Sequence, residues 1–369
     1  MIYNDIKHVL KQFCFQGKFQ DAEELTSGNI NNTFRLRYLL PDGSSRSYVL
    51  QQINTYVFKK PEEVMSNVHR VTEHVEKALK TAGEDVSRHV LRLISTKSGA
   101  YMYRDNENRC WRAYDYISGA IAYDRPEKPE HFMECGRAFG NFQKMLFDFP
   151  AEELYETIPD FHNTKKRFYD FVAAVARDQA GHVRFLEKEI DFFFDRRKMM
   201  SQAVDMIERG ELPLRVTHND TKMNNVMLDS KTGEGLCVID LDTVMAGSVI
   251  YDYGDAVRFG ASTAAEDEPD TSKIHLDMDL FRAFTRGFIS EVQGSLTESE
   301  LRMLPLGIKV MTCELAMRFF TDYIDGDLYF KVRSPEHNLI RAHAQMKLLE
   351  DIEDKYDELC AITEELIQA

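Results

Sequence analysis

The chain has 369 residues, of which 43% are hydrophobic and 29% are charged, as is usual for a soluble globular protein. Its 46 basic and 61 acidic residues give a net charge of −15. This balance argues against nucleic acid and anionic membranes as partners, because both are bound through clustered Lys and Arg. A single anionic nucleotide needs only local positive charge and is compatible with it.

The six cysteines are scattered and contain no C-x-x-C pair, which speaks against zinc ribbons and a disulfide framework. The N-terminal sequence lacks the apolar core of a signal peptide, and no stretch approaches a membrane span. We therefore expect a cytoplasmic protein that works away from membranes.

Alternating apolar residues predict β-strands in the first third of the chain. Phe34, Leu36 and Tyr38 alternate with polar neighbours, and a Pro-Asp-Gly turn precedes a second strand at residues 47–52. A helix with proline at its start is expected at residues 61–82. Further strands are predicted at residues 89–95 and 110–117.

Helical periodicity takes over after Gly119, and this change of pattern predicts the domain boundary. We expect a β-rich domain at residues 1–117 and a mainly helical domain at residues 118–369. Thr297 with Glu300 forms a capping-box pattern, and Ser334 before Pro335 predicts another helix start. Helices are expected at residues 130–146, 164–178, 184–209, 277–291 and 335–367.

Residues 212–260 contain the pattern that carries chemistry, H-x-D-x-K-x-x-N, followed by two short apolar runs and an acidic turn. A turn at residues 229–233 predicts a hairpin that returns Asp240 towards the loop with Asp220 and Asn225. Phosphoryl transfer uses one carboxylate to orient the attacking hydroxyl and an Asn with an Asp to hold Mg²⁺. Asn and Asp also satisfy ordinary surface turns, but the ordered set favours the catalytic interpretation.

The strings VTHNDTKMNNVMLD, IDLDTVMAGSVIYDYGDAVRFG, YVLQQINTYVF and MRFFTDYIDGDLYF give the chain a recognisable likeness. The first resembles the aminoglycoside phosphotransferase/choline kinase superfamily, and together they resemble bacterial N-acetylhexosamine 1-kinases. The resemblance implies an α+β, protein-kinase-like fold with a β-rich N-terminal lobe and a helical C-terminal lobe. It also implies that ATP and Mg²⁺ are used to phosphorylate a small sugar.

The resemblance assigns roles to the residues of the motif. Asp220 is the expected general base, and Lys222 neutralises charge on the transferring phosphoryl group. Many antibiotic kinases have His in place of this lysine. Asn225 and Asp240 are the expected Mg²⁺ ligands, while Asp242 either joins them, holds the substrate or caps the turn before Gly247.

Nucleotide contacts implied by the resemblance lie in the first loop and at the end of the 110–117 strand: Gly28, Asn32, Asp115, Tyr116 and Ile117. Most kinases have a lysine on the third strand that binds the α- and β-phosphates, and this chain has Gln51 there. An amide can donate a hydrogen bond to a phosphate but adds no charge. The phosphate-binding cation is therefore unassigned from the sequence.

Arg318, in a largely apolar helix, needs acceptors for its guanidinium. Glu314, one turn earlier, is the structural partner, and sugar hydroxyls or an acetamide carbonyl are the functional one. The resemblance places Arg318, Tyr329 and Asn29 at the sugar.

We expect phosphorylation of the anomeric hydroxyl of GlcNAc or GalNAc by a monomer or weak homodimer. The alternatives are a kinase for another small alcohol (homoserine, choline or a different sugar) and a catalytically silent nucleotide-binding regulator. Only Gln51 favours the regulator.

Overall fold

A computed structural model describes residues 2–25 and 31–369, with side chains described from Ile6 onwards. It divides into two compact units. The first comprises Met1–Ile121, Glu152–Ile158 and Met227–Met245, and the second comprises Ala122–Ala151, Pro159–Val226 and Ala246–Ala369.

Most of the strands lie in the first unit, and helices dominate the second. The strands are Lys18–Leu25 (β1), Asn32–Leu39 (β2), Ser45–Ile53 (β3), Tyr103–Arg104 (β4), Cys110–Asp115 (β5), Ala120–Ile121 (β6), Arg215–Thr217 (β7), Val226–Asp229 (β8), Gly235–Val238 (β9) and Met245–Gly247 (β10). The α-helices are Ile2–Leu10 (α1), Pro61–Ala82 (α2), Val86–His89 (α3), Pro129–Met145 (α4), Thr164–Arg177 (α5), Glu187–Asp195 (α6), Arg197–Glu208 (α7), Val249–Gly260 (α8), Met278–Val292 (α9), Glu298–Asp325 (α10), His337–Asp354 (α11) and Tyr356–Gln368 (α12).

The first unit is built on an antiparallel sheet of five strands in the order β1-β2-β3-β5-β4. Because side chains alternate across a strand, one face of the sheet is apolar and packs against α1. This core contains Ile6, Val9, Phe34, Leu36, Tyr38, Tyr48, Leu50, Trp111 and Ala113. The opposite face carries Thr33, Gln51 and Arg112, which lie side by side in register.

A second, small sheet in the first unit has the order β6-β8-β9. β8 and β9 form the hairpin expected from the sequence, and its turn is closed by the Asp229 amide, which donates to the Glu234 carbonyl at 2.8 Å. The hairpin leads directly into Asp240.

The second unit is a helical assembly with a continuous aromatic core from α5, α6, α7, α10 and α11. Its α8 and α10 approach so closely that a side chain on Gly254 would collide with the carbonyl of Gly307. The capping box at Thr297 and Glu300 is present as expected. β7 pairs with β10, whose last two residues belong to this unit.

Several element predictions were wrong in detail. Residues 89–95 do not form a strand, because Asp85 caps the short helix α3 and the chain then makes a single bridge, from Leu93 to Tyr114. The last long helix begins at His337 rather than after Ser334, and it breaks at Lys355 into α11 and α12. The helix expected over residues 184–209 likewise breaks into α6 and α7, at Arg196.

No helix within residues 2–25 and 31–369 is both long and apolar enough to cross a membrane.

Candidate active site

The loop from His218 to Asn225 follows β7 and turns sharply at Asn219, whose φ is +63°. His218 is fully buried, and its ring packs edge-on against Phe139 and Phe142 of α4. The amide of Asp220 donates to Nδ1 of His218 at 3.3 Å. His218 is therefore a support of the loop.

Asp252, in the first turn of α8, holds this loop by accepting hydrogen bonds from the loop's backbone amides. The amides of His218 and Asn219 each donate to its carboxylate at 2.8 Å, and Nε2 of Gln143 donates at 3.0 Å. Thr221 Oγ1 donates to the Asp252 carbonyl at 2.6 Å. Burial raises the pKa of the Asp252 carboxyl, although these donors favour its charged form. Asp252 therefore braces the loop that carries Asp220.

One turn further along α8, Asp255 supports the same loop. Its Oδ2 accepts from the Thr221 amide at 3.2 Å, and its Oδ1 accepts from Arg258 Nη2 at 2.6 Å. Burial alone would raise the pKa of Asp255, but the charge and hydrogen bond of Arg258, with the charge of Lys222, together lower it. The sequence reasoning overlooked this pair, although Asp255 and Arg258 stand only three residues apart.

The structure brings Asp220, Lys222 and Asn225 into direct contact. Nζ of Lys222 lies 2.7 Å from Oδ1 of Asp220, and Nδ2 of Asn225 donates to the Asp220 carbonyl at 2.8 Å and to Oδ2 at 3.3 Å. Burial would lower the pKa of Lys222, but the neighbouring Asp220 carboxylate raises it. Lys222 therefore stays charged beside the expected base.

Asp240 and Asp242 lie in the first unit, after the hairpin. Asp240 has a φ of +60°, a conformation that is costly for a residue with a side chain and that concentrates at functional sites. Asp242 is 3% exposed, accepts from Asn31 Nδ2 at 2.7 Å and pairs with Arg112. The side chain of Asp242 is thus engaged inside the protein.

The donor types at Asn225 and Asp240 suit Mg²⁺, which prefers hard oxygen ligands and few of them from protein. Asn225 uses its amide nitrogen for Asp220, so Oδ1 is the atom that would bind a cation. Among the described residues, no group of three or more His, Cys, Asp or Glu side chains has metal-binding geometry. A site of one carboxylate and one amide differs from such a group.

Gln51 is engaged at both ends of its amide. Its Nε2 donates to Thr33 Oγ1, and its Oε1 accepts from Arg112 Nε, each at 3.0 Å. Arg112 is 1% exposed and was overlooked in the sequence, although a charged residue in the middle of an apolar strand was a visible signal.

The other expected nucleotide residues fall into two groups. Gly28 lies outside the described residues, as does Asn29, which is expected at the sugar. Asn32 begins β2, where its side chain donates to Gln52 at 3.3 Å. At the end of β5, the Asp115 amide donates to the Arg92 carbonyl and the Tyr116 amide to Ser47. An adenine contact in this stretch would therefore use Ile117 or backbone carbonyls.

Arg318 and Tyr329 line one open pocket of about 180 Å³ in the second unit. Arg318 is 3.7 Å from Glu314, but Glu314 lies closer, at 3.0 Å, to His162. The Arg318 guanidinium also faces the rings of Phe161, Tyr329 and Phe330 at 5.3 to 5.9 Å. The pocket is lined by Arg167, Asp170, Met317, Arg318, Thr321, Asp322, Asp325, Tyr329 and Phe330.

Comparison with known proteins identifies a family and structures of similar fold. The model of a family described as "Phosphotransferase enzyme family" matches residues 21–283. Among solved structures, a microcompartment-associated aminopropanol kinase is 16% identical, with a TM-score of 0.59 over 97% of this chain and 98% of that chain. An amicoumacin kinase in complex with AMP-PNP, Ca²⁺ and Ami is 14% identical, with a TM-score of 0.57 over 95% and 93%.

An aminoglycoside phosphotransferase from Alicyclobacillus acidocaldarius subsp. acidocaldarius DSM 446 is 14% identical, with a TM-score of 0.58 over 98% of this chain and 95% of that chain. At such identities the likeness concerns the fold alone. The α+β, protein-kinase-like fold expected from the sequence is confirmed.

Proposed function

The chain belongs to the phosphotransferase enzyme family, and on this premise we propose that it transfers the terminal phosphate of ATP to the anomeric hydroxyl of an N-acetylhexosamine. Family membership makes the chain a small-molecule phosphotransferase. The acceptor, its reacting oxygen and the roles of single residues are the proposal.

The observation that carries the proposal is the contact among Asp220, Lys222 and Asn225 on a loop held by Asp252. In this reading the Asp220 carboxylate orients the acceptor hydroxyl and takes its proton. Lys222, which stays charged, stabilises negative charge on the phosphoryl oxygens. A silent regulator would have no need of this pre-positioned set.

Asn225 and Asp240 would hold Mg²⁺. When bound, the ion neutralises charge on the nucleotide phosphates and orients them. The protein's part is to fix two oxygen ligands, one on the braced loop and one after the hairpin.

A pocket of about 180 Å³ suits a single sugar ring, since sites for drug-sized ligands span roughly 300–1,000 Å³. Its charged wall also favours a neutral, hydroxyl-rich acceptor. Burial lowers the pKa of Arg167, and the charge of Arg318 lowers it further, so two guanidinium groups share this region. Choline and other cationic alcohols would be repelled by such a wall.

Two of the three acids that line the pocket are paired with cations outside the lining, and the third, Asp322, is held by neutral amide donors. Asp322 accepts from the amides of residues 328–330 and from Asn338. Asp325 pairs with Arg177 at 2.9 Å, and Asp170 pairs with Lys166 at 2.9 Å. These bonds also fix the backbone that carries Tyr329.

We expect GlcNAc or GalNAc to be phosphorylated and the corresponding methyl glycosides, whose O1 is blocked, to be inert. Asp220 fixes where the accepted proton must lie, so one hydroxyl alone can stand in line with the transferred phosphate. The product should show phosphorus coupling to the anomeric proton in NMR. Turnover of the methyl glycoside, or coupling to the C6 protons, would contradict the assignment, and preferred turnover of choline or homoserine would favour another acceptor.

Asn225→Ala should raise the Mg²⁺ concentration for half-maximal activity about tenfold or more, because one of two protein ligands is lost. The Mg²⁺ dependence of ATP binding, measured by calorimetry, should shift in parallel. Asn224→Ala is the matched control, since this neighbouring amide is half-buried and donates to Asp124 at 3.1 Å. Identical Mg²⁺ titrations for wild type and Asn225→Ala would place the ion elsewhere.

A further inference from the structure

The proposed function leaves open which cation binds the nucleotide phosphates, because Gln51 stands where most kinases have a lysine. We propose that Arg112, on the neighbouring strand β5, supplies this positive charge. The inference rests on the proposed use of ATP and is independent of the acceptor.

The strand register places Arg112 directly beside Gln51, which occupies the position of the usual lysine. Thr33, Gln51 and Arg112 are cross-strand partners on β2, β3 and β5, on the sheet face opposite the apolar core. Their side chains form one hydrogen-bonded row, from Arg112 Nε to Gln51 Oε1 and from Gln51 Nε2 to Thr33 Oγ1. Gln51 thereby orients the guanidinium through Nε. The positive charge lies on β5, one strand away from its usual position on β3.

The burial of Arg112 argues against a purely structural role. It is the only charged side chain among the largest fully buried ones in the described part of the chain. Burial would lower its pKa, but the charge and the hydrogen bond of Asp242, with contributions from Tyr114 and Asp240, together raise it. Apolar side chains of similar volume often replace a buried ion pair at no loss of stability, so the fold alone does not require arginine here.

The carboxylate that pairs with this arginine also comes from a different element than in protein kinases. In protein kinases the lysine pairs with a glutamate of the helix that follows it. Here the fully described helix α2 offers no carboxylate on its buried face and contacts Arg112 through Sδ of Met65, at 3.9 Å. The ion pair is made instead with Asp242, two residues after the expected metal ligand Asp240.

Asp242 therefore acts as a positioning residue in this inference. Its second oxygen accepts from Asn31, which directly precedes β2. The Oδ1 atom of Asn31 accepts from the Asn54 amide at 3.0 Å. The pair holds the guanidinium among residues of the nucleotide-binding unit, where phosphate oxygens would complete its hydrogen bonds.

Arg112→Met should weaken ATP binding about 10- to 100-fold, the effect of losing a charged hydrogen-bond donor, and leave adenosine binding within about twofold. Calorimetry with the full chain, Mg²⁺ and no acceptor measures both ligands. Gln51→Lys in the Arg112→Met background should restore much of the ATP affinity, because the charge returns to the third strand. Arg109→Met is the control, since Arg109, which directly precedes β5, pairs with a different buried carboxylate, Asp105.

The double variant Arg112→Gln/Asp242→Asn removes both charges and leaves neither buried alone. It tests the role of Arg112 in ATP binding if Arg112→Met fails to fold. This double variant should lose the preference for ATP over adenosine. Equal losses for ATP and adenosine, or unchanged ATP binding in the double variant, would overturn the role of Arg112. A wild-type chain that binds ATP but phosphorylates no hexosamine would contradict the proposed acceptor and leave this inference standing.

Discussion

Asp220→Asn should lower kcat about 10²- to 10⁴-fold, the usual cost of removing a general base. The amide keeps the shape of the side chain and the bond from Asn225 Nδ2 to the Asp220 carbonyl, so the loop should keep its conformation. It cannot take the acceptor's proton, and it loses the ion pair with Lys222. Steady-state kinetics on GlcNAc and GalNAc should show this loss in kcat.

The affinity of Asp220→Asn for ATP should change little, because the carboxylate acts on the acceptor hydroxyl. Asp124→Asn is the control, as this exposed carboxylate contacts the same loop only through Asn224. Retention of most of the turnover in Asp220→Asn would remove Asp220 from the mechanism. A parallel loss of ATP affinity would instead indicate a disturbed nucleotide site.

The features that sequence reasoning predicted well are those fixed by local chemistry. Proline at the first position of α2 and the capping box of α10 mark helix starts, and the structure begins both helices there. The H-x-D-x-K-x-x-N spacing similarly anticipates the contact between Asp220 and Asn225, because five residues of tight loop suffice to bring them together.

The errors arise where tertiary contacts decide. Residues 89–95 read as a strand, yet the Asp85 cap diverts the chain, which then touches β5 through Leu93 and two backbone hydrogen bonds. Arg112 was missed because its significance depends on the register of β3 and β5, which brings it beside Gln51, and on Asp242, distant in sequence. The supports Asp255 and Arg258 were missed for the same reason.

Arg318→Leu should lower kcat/KM for the sugar about 100-fold or more, with the KM for ATP nearly unchanged. Two hydrogen bonds from a charged donor to the sugar, each worth roughly 1.5–3 kcal/mol, account for a loss of this size. Leucine keeps apolar contact with the rings of Phe161 and Phe330, so the pocket should hold its shape. Initial rates at varied sugar and saturating ATP measure the effect.

Arg302→Leu is the matched control, because Arg302 lies on the same helix, α10, and pairs with Glu298 four residues away, as Arg318 pairs with Glu314. Arg302 is exposed at the other end of the helix, and its replacement should leave both KM values unchanged. If Arg318→Leu lowered only the melting temperature, the arginine would serve the buried Glu314–His162 pair. A sugar-specific loss in Arg318→Leu with none in Arg302→Leu would indicate that the Arg318 guanidinium acts on the acceptor, since each variant removes one i, i+4 ion pair from the same helix.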